Sequence, residues 1–323
     1  MSELKPTLND LAAQISELTA SFSKFLHESH IAQPTLAADS PISYGEKISA
    51  EAFVIRSKLL DAVDDLSILV QGPTESIFNF VHCVVPNAAC LNTLNHFKVW
   101  NAVPLDGSAT YGEIAERISL PEEVTKRLLQ HAFNQRLFTE TASGVAHTSR
   151  SAALAKQAGL SSLVSSVLDI SSTPLLVLNH ALEKYTKGKP ALSQEMNETS
   201  FALVHGGKFR NSWDYLEFDG EGEKQGWRQK EFVQFMAFVN GIFRLESIIL
   251  DCYKWEDAGK ATVVDVSTFV TAKTTRDRLT RIRLVVLQGM IPFCLRENSP
   301  SLPWWSKICQ KCNLFSRRIF LKM

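Results

Sequence analysis

The segment Val263-Val264-Asp265-Val266 places one carboxylate in an apolar run short enough to be a buried parallel strand. A strand of this kind that serves a nucleotide-like ligand normally turns through glycines, which let backbone amides approach without a side chain between them. Here Ser267-Thr268-Phe269 stand in the turn, and Phe269 is bulky. A second chemical candidate is the stripe Phe232, Phe235, Met236, Val239, Phe243, Ile248 and Ile249 on a helix predicted from about Gln229 to Trp255. Such a stripe suits core packing, and one of its faces could equally wall an apolar small-molecule pocket. Cys309-x-x-Cys312 has metal or redox spacing. A structural zinc site needs four ligands, however, and neither a second cysteine pair nor a nearby histidine is present, so the pair reads as two ordinary thiols.

The elements that would position these residues are mostly helical. Leu8, Leu11, Ile15, Leu18, Phe22 and Phe25 recur at steps of three and four, a narrow stripe on a helix from about Pro6 to His30. That stripe wants a partner, either elsewhere in this chain or on a second copy, and the second copy is the favoured expectation. Leu36 to Ile48 reads as a linker. A helix from about Ser49 to Gln71 meets a stop signal at Gly72-Pro73, and an apolar region from Thr74 to Trp100 breaks at Pro86-Asn87.

Thr110-x-x-Glu113 and Ser119-x-x-Glu122 both have capping-box spacing, the second with Pro121 in its first turn. Leu137 to Glu140 and Val145 to Thr148 flank Ala142-Ser143-Gly144, a hairpin signal. Helix, helix, hairpin is a winged-helix order. The second helix offers Lys126, Arg127 and Arg136 but also Glu122 and Glu123, too little basic surface for phosphate contact and groove readout. A structural or dimerising role is therefore expected, with no nucleic-acid partner. Ser151 to Lys187 reads as helical with a kink or entry at Pro174, and Phe201 to Gly226 as a loop-and-short-helix stretch rich in glycine and aromatics.

Composition agrees with an ordinary globular chain of about two domains: 45% hydrophobic residues, 21% charged, and 34 basic against 34 acidic side chains. Neutrality supplies no long-range field toward nucleic acid or anionic membrane. No secretory leader or run of about 20 apolar residues is evident, so a cytoplasmic protein without a membrane partner is expected. Six irregularly spaced cysteines fit a reduced environment.

The order of helical front, winged helix, aromatic loop, long helix, Tyr253-x-Trp255 and then Val263 to Val266 resembles the cation-independent S-adenosylmethionine-dependent O-methyltransferases. Within them it is most like the fungal secondary-metabolite enzymes of the plant caffeate type, and the resemblance covers roughly Leu8 to Val266. It implies a chain mainly α with a winged-helix dimerisation domain, followed by an incomplete Rossmann-like α/β methyltransferase domain. It further implies S-adenosyl-L-methionine as cofactor, an aromatic small molecule as methyl acceptor, and dimerisation through the N-terminal helix with itself or with a related methyltransferase. By the same resemblance Met236 and Phe232 would line the acceptor on the long helix, with Trp213 and Phe201 on the aromatic loop before it. Asp265 would stand at the cofactor strand.

The chain also departs from that pattern. Besides the missing glycine turn, the family's second cofactor strand normally ends in an acid that holds the ribose hydroxyls. The matching stretch, Arg283 to Gly289, ends in glycine, and no Asp or Glu lies between Asp277 and Glu297. The family's general base is a histidine far downstream, whereas no histidine follows His205. The tail from Ile291, with Pro300-x-x-Pro303-Trp304-Trp305, matches no part of the family. The expected organisation is a dimerisation helix and linker over 1–48, a helical and winged-helix domain over 49–150, a helical substrate-pocket region over 151–259, and a truncated Rossmann-like segment with a divergent tail over 260–323. O-Methyl transfer is then in question. The alternatives are a non-catalytic dimerisation partner of a full-length methyltransferase, or a methyltransferase-like pocket put to another use.

Overall fold

A computed structural model describes residues 6–44, 48–209, 211–243, 262–265 and 283–286. The chain divides into two units, Met1–Phe235 and Met236–Met323, each described by itself. Several features read in the sequence lie outside the described residues: Tyr253-x-Trp255, Val266 with the Ser267-Thr268-Phe269 turn, Gly289, the Pro300 to Trp305 run, and Cys309 with Cys312.

The first helix, α1 (Leu8–Glu28), opens at Thr7. The Thr7 side chain accepts from the Asp10 amide while the Asp10 carboxylate takes the Thr7 amide at 2.8 Å, a reciprocal cap. Its apolar stripe turns onto the next helix, and Leu11, Phe22 and Leu26 are buried. Phe22, Leu26 and Ala52 form a small core of their own, with Tyr44 set edge-on to Phe22.

The next stretch, α2 (Ala50–His96), is two helical limbs that meet at Gly72, so the expected stop at Gly72-Pro73 is present and only the expected break at Pro86 is absent. Gly72 leaves the helical region at φ 76 and ψ 165, so the helix has two limbs, and Pro73 starts the second, where a first-turn proline loses no hydrogen bond. Pro86 does not break the helix. Pro86 and His82, whose carbonyl the missing amide would have met, are both exposed, so the lost hydrogen bond falls on a solvent-facing stretch of the helix. By length and composition α2 is apolar enough to cross a membrane, a helix-scale property that the sequence reading did not anticipate.

A short helix, α3 (Val99–Ala102), leads to strand β1 (Ser108–Ala109), which the sequence reading omitted. Helix α4 (Tyr111–Ile118) carries the expected Thr110–Glu113 capping box. The second box does not form: Ser119 is the left-handed C-cap of α4 at φ 56, and α5 (Glu122–Asn134) starts after Pro121 without a side-chain cap. A residue used to end one helix is no longer extended enough to begin another. Strands β2 (Phe138–Thr141) and β3 (Gly144–His147) pair antiparallel, Phe138 opposite His147 and Thr141 opposite Gly144, and β1 adds on the far side of β3. Gly144 sits at φ 134 with Ala109 close behind it: a Cβ there would lie 2.4 Å from the Ala109 carbonyl oxygen. Trp100, Ile114, Leu129, Leu137, Phe138 and Val145 fill the main core among these elements.

Helices α6 (Ser149–Lys156) and α7 (Ala158–Ser165) follow, then a π-helical turn at Ser166–Ser171, α8 (Ser172–Leu176) and α9 (Leu178–Tyr185). Pro174 falls in the first turn of α8, directly after the π turn, which fits the entry expected there, and the 45° bend of this stretch comes later, between Leu176 and Leu178. Helices α10 (Ser200–His205), α11 (Ser212–Phe218) and α12 (Trp227–Phe243) complete the helical part. In the second unit β4 (Thr262–Asp265) and β5 (Arg283–Val286) pair parallel, with Asp265 opposite Val286.

Candidate functional site

The glycines after His205 bring aromatic side chains from three short elements together. Gly206 and Gly207 both hold positive φ, 57° and 78°, ending α10 in a turn that other residues take only at a cost. Asn211 then caps α11, accepting from the Trp213 amide at 2.9 Å and the Asp214 amide at 3.0 Å. Between the two helices the His205 ring lies 4.3 Å from Phe201, 4.6 Å from Tyr215 and 5.9 Å from Phe209. On α11 Trp213 meets Phe232 of α12 edge-on at 5.9 Å, and Phe232 meets Phe235 at 5.8 Å. Edge-on contacts of this kind are the favoured arrangement of aromatic quadrupoles.

Of the sequence-derived candidates, Trp213, Phe232 and Phe201 fall in neighbouring groups. Trp213 and Phe232 touch; Phe201 belongs to the ring cluster around His205 and Tyr215, joined to the first group through α11. Met236 stands one helical turn beyond Phe232 on α12. Asp265 is the last residue of β4, at the carboxyl end of the parallel pair, where open α/β sheets receive their ligands.

Charges frame the cluster. Arg228 binds Asp219 at 2.6 Å and lies over both the Tyr215 and the Trp227 rings, at 4.7 and 4.3 Å. Burial holds the His205 imidazole below its ordinary pKa, with the Asp219 carboxylate opposing. Burial raises Tyr215, and it raises the Glu231 carboxyl too, where Lys98 pulls the other way. On the side of α2, Asn92 donates to Asp169 of the π turn at 2.6 Å, and Ser162 donates to Gln234 of α12 at 3.0 Å. Chemically this is a packed aromatic cluster, its rings mostly edge-on to one another, with Phe209 and Tyr215 buried within it. Among the described residues no group of three or more His, Cys, Asp or Glu could hold a metal. A notch of about 440 Å³ beside the α2 kink, lined by Gln71, Gly72, Pro73, Thr74, Glu75 and Phe78, carries a single carboxylate and no chemistry of its own.

No family model matches the chain. Among curated proteins it is 36% identical over 270 residues to the O-methyltransferase lcsG of Purpureocillium lilacinum, across 80% of this chain and 58% of that protein. The chain is a relative of the fungal O-methyltransferases. It is also 30% identical over 235 residues to O-methyltransferase elcB of Phaeosphaeria nodorum, across 68% of this chain and 51% of that one. This O-methyltransferase relative therefore spans little more than half the length of the curated proteins it matches. Its fold is shared with solved structures of OxaC, at a TM-score of 0.55 with 19% identity, covering 79% of this chain and 57% of that one. One OxaC structure, in complex with SAH and oxaline, matches with a TM-score of 0.54 at 21% identity.

Sequence reasoning gave no role to His205, Arg228 or Glu231 in this O-methyltransferase relative. A usable signal was present for the first: a histidine directly before two glycines, within one short stretch of Phe201, Phe209 and Tyr215. The Arg228–Asp219 pair and the Glu231 environment depend on how α11 and α12 pack, and no local spacing announces them.

Proposed function

We propose that this chain takes part in methyl transfer from S-adenosyl-L-methionine to an oxygen of an aromatic secondary metabolite. The observation that carries the reading is the 36% identity to a fungal O-methyltransferase over 270 residues, a span that includes most of the helical part. The aromatic cluster supports it, as does the structure of a fold neighbour in complex with SAH and oxaline. In this reading Trp213 and Phe232 sandwich or edge the acceptor ring, Phe201 closes the next layer, and Met236 adds an adaptable thioether wall. The elements from β1 to β3 with α4 and α5 are read as a structural winged helix, and residues 260–323 as part of a Rossmann-like segment. Asp265, at the carboxyl end of a parallel strand, is the residue that would serve the cofactor. S-adenosyl-L-methionine, when bound, supplies an electrophilic methyl group. The chain's contribution is to orient the acceptor and keep water from it.

Isothermal titration calorimetry with S-adenosyl-L-methionine and S-adenosylhomocysteine tests the reading. Saturable binding of both supports it, and no heat at millimolar ligand refutes it. If binding is found, Trp213→Ala should weaken a planar aromatic acceptor about tenfold or more while leaving cofactor binding unchanged. A second reading, a non-catalytic dimerisation partner of a full-length methyltransferase, is favoured by Ser267-Thr268-Phe269 standing where a glycine turn is expected. Its signature is an absence of cofactor binding together with co-purification with a co-expressed full-length relative.

A further inference from the structure

Arg228 enters the aromatic cluster at the start of α12 with its position fixed and most of its donors unused. The loop between α11 and α12 closes tightly. The Gly226 amide donates to the Asp219 carbonyl at 3.3 Å, and Gly220, at φ 98, lets the chain pass where a Cβ would lie 2.4 Å from the Lys224 carbonyl oxygen. That closure brings the Asp219 carboxylate to the first turn of α12, where Arg228 Nε donates to it at 2.6 Å. The guanidinium carbon also lies over the Tyr215 ring at 4.7 Å and the Trp227 ring at 4.3 Å. One carboxylate and two rings therefore set the plane of the guanidinium, and the side chain is 15% exposed. A guanidinium carries donors on every one of its nitrogens. Among the described residues only Nε meets an acceptor. The outer edge, with Nη1 and Nη2, is held in place by contacts that do not use it.

We propose that the outer edge of Arg228 takes the carboxylate of an aromatic acid whose ring lies against Trp213 and Phe232. The two Nη groups present parallel N–H bonds, a geometry that a carboxylate matches with both of its oxygens and a hydroxyl or amide matches only in part. Arg228, Glu231, Phe232 and Phe235 recur at i, i+3, i+4 and i+7, so the guanidinium and the rings share one face of α12. Trp213 and Phe232 are only partly buried, which leaves ring surface for a ligand to meet. The surrounding charges admit an anion. Lys208 lies over Phe209 at 5.0 Å, Asp169 is engaged by Asn92, and Asp219 by Arg228 itself. Glu231 stands one turn beyond Arg228, and burial raises its carboxyl, with Lys98 opposing and Asp169 adding, which favours the uncharged form. A clamp between α11 and α12 needs only the Nε bond and the two rings, so the Nη donors are not explained by holding the helices together. The inference rests on the aromatic-acceptor reading above and narrows it to ring acids.

Equilibrium dialysis of the full chain against naphthalene-2-carboxylate and naphthalene-2-carboxamide tests it, because the two probes share a ring and differ in charge. The expected result is binding of the carboxylate tighter by about tenfold or more, a preference that shrinks as salt is raised. Arg228→Met should bring the two probes within about twofold of each other, and Arg228→Lys should keep only part of the preference, since a point charge lacks the planar fork. Trp213→Ala should weaken both probes alike. If Arg228→Met fails to fold, Arg228→Lys carries the test, and an undiminished preference in it overturns the proposal. So does a preference that survives Arg228→Met. Equal binding of both probes, weakened in both by Trp213→Ala, overturns the proposal and leaves the aromatic-acceptor reading standing. Binding of neither probe at millimolar concentration overturns the proposal and the acceptor reading together.

Discussion

Asn95 should prove among the most sensitive positions in the helical part. Its side chain is fully buried where α2 meets α7. Its amide donates to the Ser161 carbonyl at 3.0 Å and to Ser165 Oγ at 2.8 Å, and its oxygen accepts from Ser161 Oγ at 2.5 Å. Replacing it with leucine keeps the volume but removes three hydrogen bonds at once, and both serine hydroxyls stay buried. With about 1 kcal/mol net for each bond, and more where a buried group is left unpaired, Asn95→Leu should cost about 3–5 kcal/mol. That is a large part of the roughly 5–15 kcal/mol that stabilises a typical domain. Urea unfolding followed by circular dichroism measures it. A sharper form adds Ser161→Ala and Ser165→Ala. If the cost comes from stranded polar groups, the triple variant is less destabilised than the sum of its parts, because the serines' remaining partners, Lys98 and Glu231, are less buried than the serine hydroxyls themselves. A loss below about 1 kcal/mol for Asn95→Leu, or strict additivity in the triple variant, would refute the reasoning.

Stability should also fall on the acid side through His147. Its Nε2 donates to the Val103 carbonyl at 3.1 Å, so its Nδ1 accepts from Ser151 Oγ at 2.8 Å. Burial lowers its pKa, so the unfolded chain binds a proton more readily than the folded one. The stabilisation is complete above the unfolded pKa of about 6.5 and is lost as pH falls from there toward the folded value, about 1.4 kcal/mol for each unit of depression. Urea midpoints from pH 8 to 5 should show this slope, and His147→Gln should flatten it. Gly144→Ala should cost about 2 kcal/mol or more and lower the melting temperature by several degrees, since the new methyl group meets the Ala109 carbonyl at a φ that alanine resists.

Local chemistry was the legible part of this sequence. The Thr110–Glu113 box and the turn around Ser143-Gly144 need only neighbours a few residues apart, and the helix and hairpin they announce are present. Pro86 and Ser119 misled for a shared reason. Each is a strong local signal whose meaning depends on context: solvent at the freed carbonyl in one case, the preceding helix claiming the residue in the other. The α1 stripe was correctly apolar, yet its period says nothing about whether the partner is α2 or another molecule. In the candidate site, Phe232 with Trp213 could be named from an aromatic-rich stretch followed by a long helix. His205 with Tyr215 and Arg228 with Asp219 are tertiary facts, set by the Gly206-Gly207 turn and by the approach of α12.

The Gly72 bend makes α2 a lever. Its first limb is fastened to α1 through the small Phe22–Leu26–Ala52 core, and its second limb ends in the main core at Cys90 and Leu94. From Gly72 to Leu94 is about 33 Å of helix, so a 10° change at one glycine would carry the far end by roughly 6 Å. A second tie opposes that swing: the linker after α1 is stitched to the hairpin and α6 by the Ser149 amide on the Leu36 carbonyl at 2.9 Å, by Ala37 bridged to Thr148, and by Lys156 on the Ala38 carbonyl at 3.1 Å. Helix pair, second limb and stitched linker close a triangle. A triangle fixes an angle that a single glycine cannot, so the direction in which the apolar limb points is set by three weak contacts made by residues outside it in the sequence.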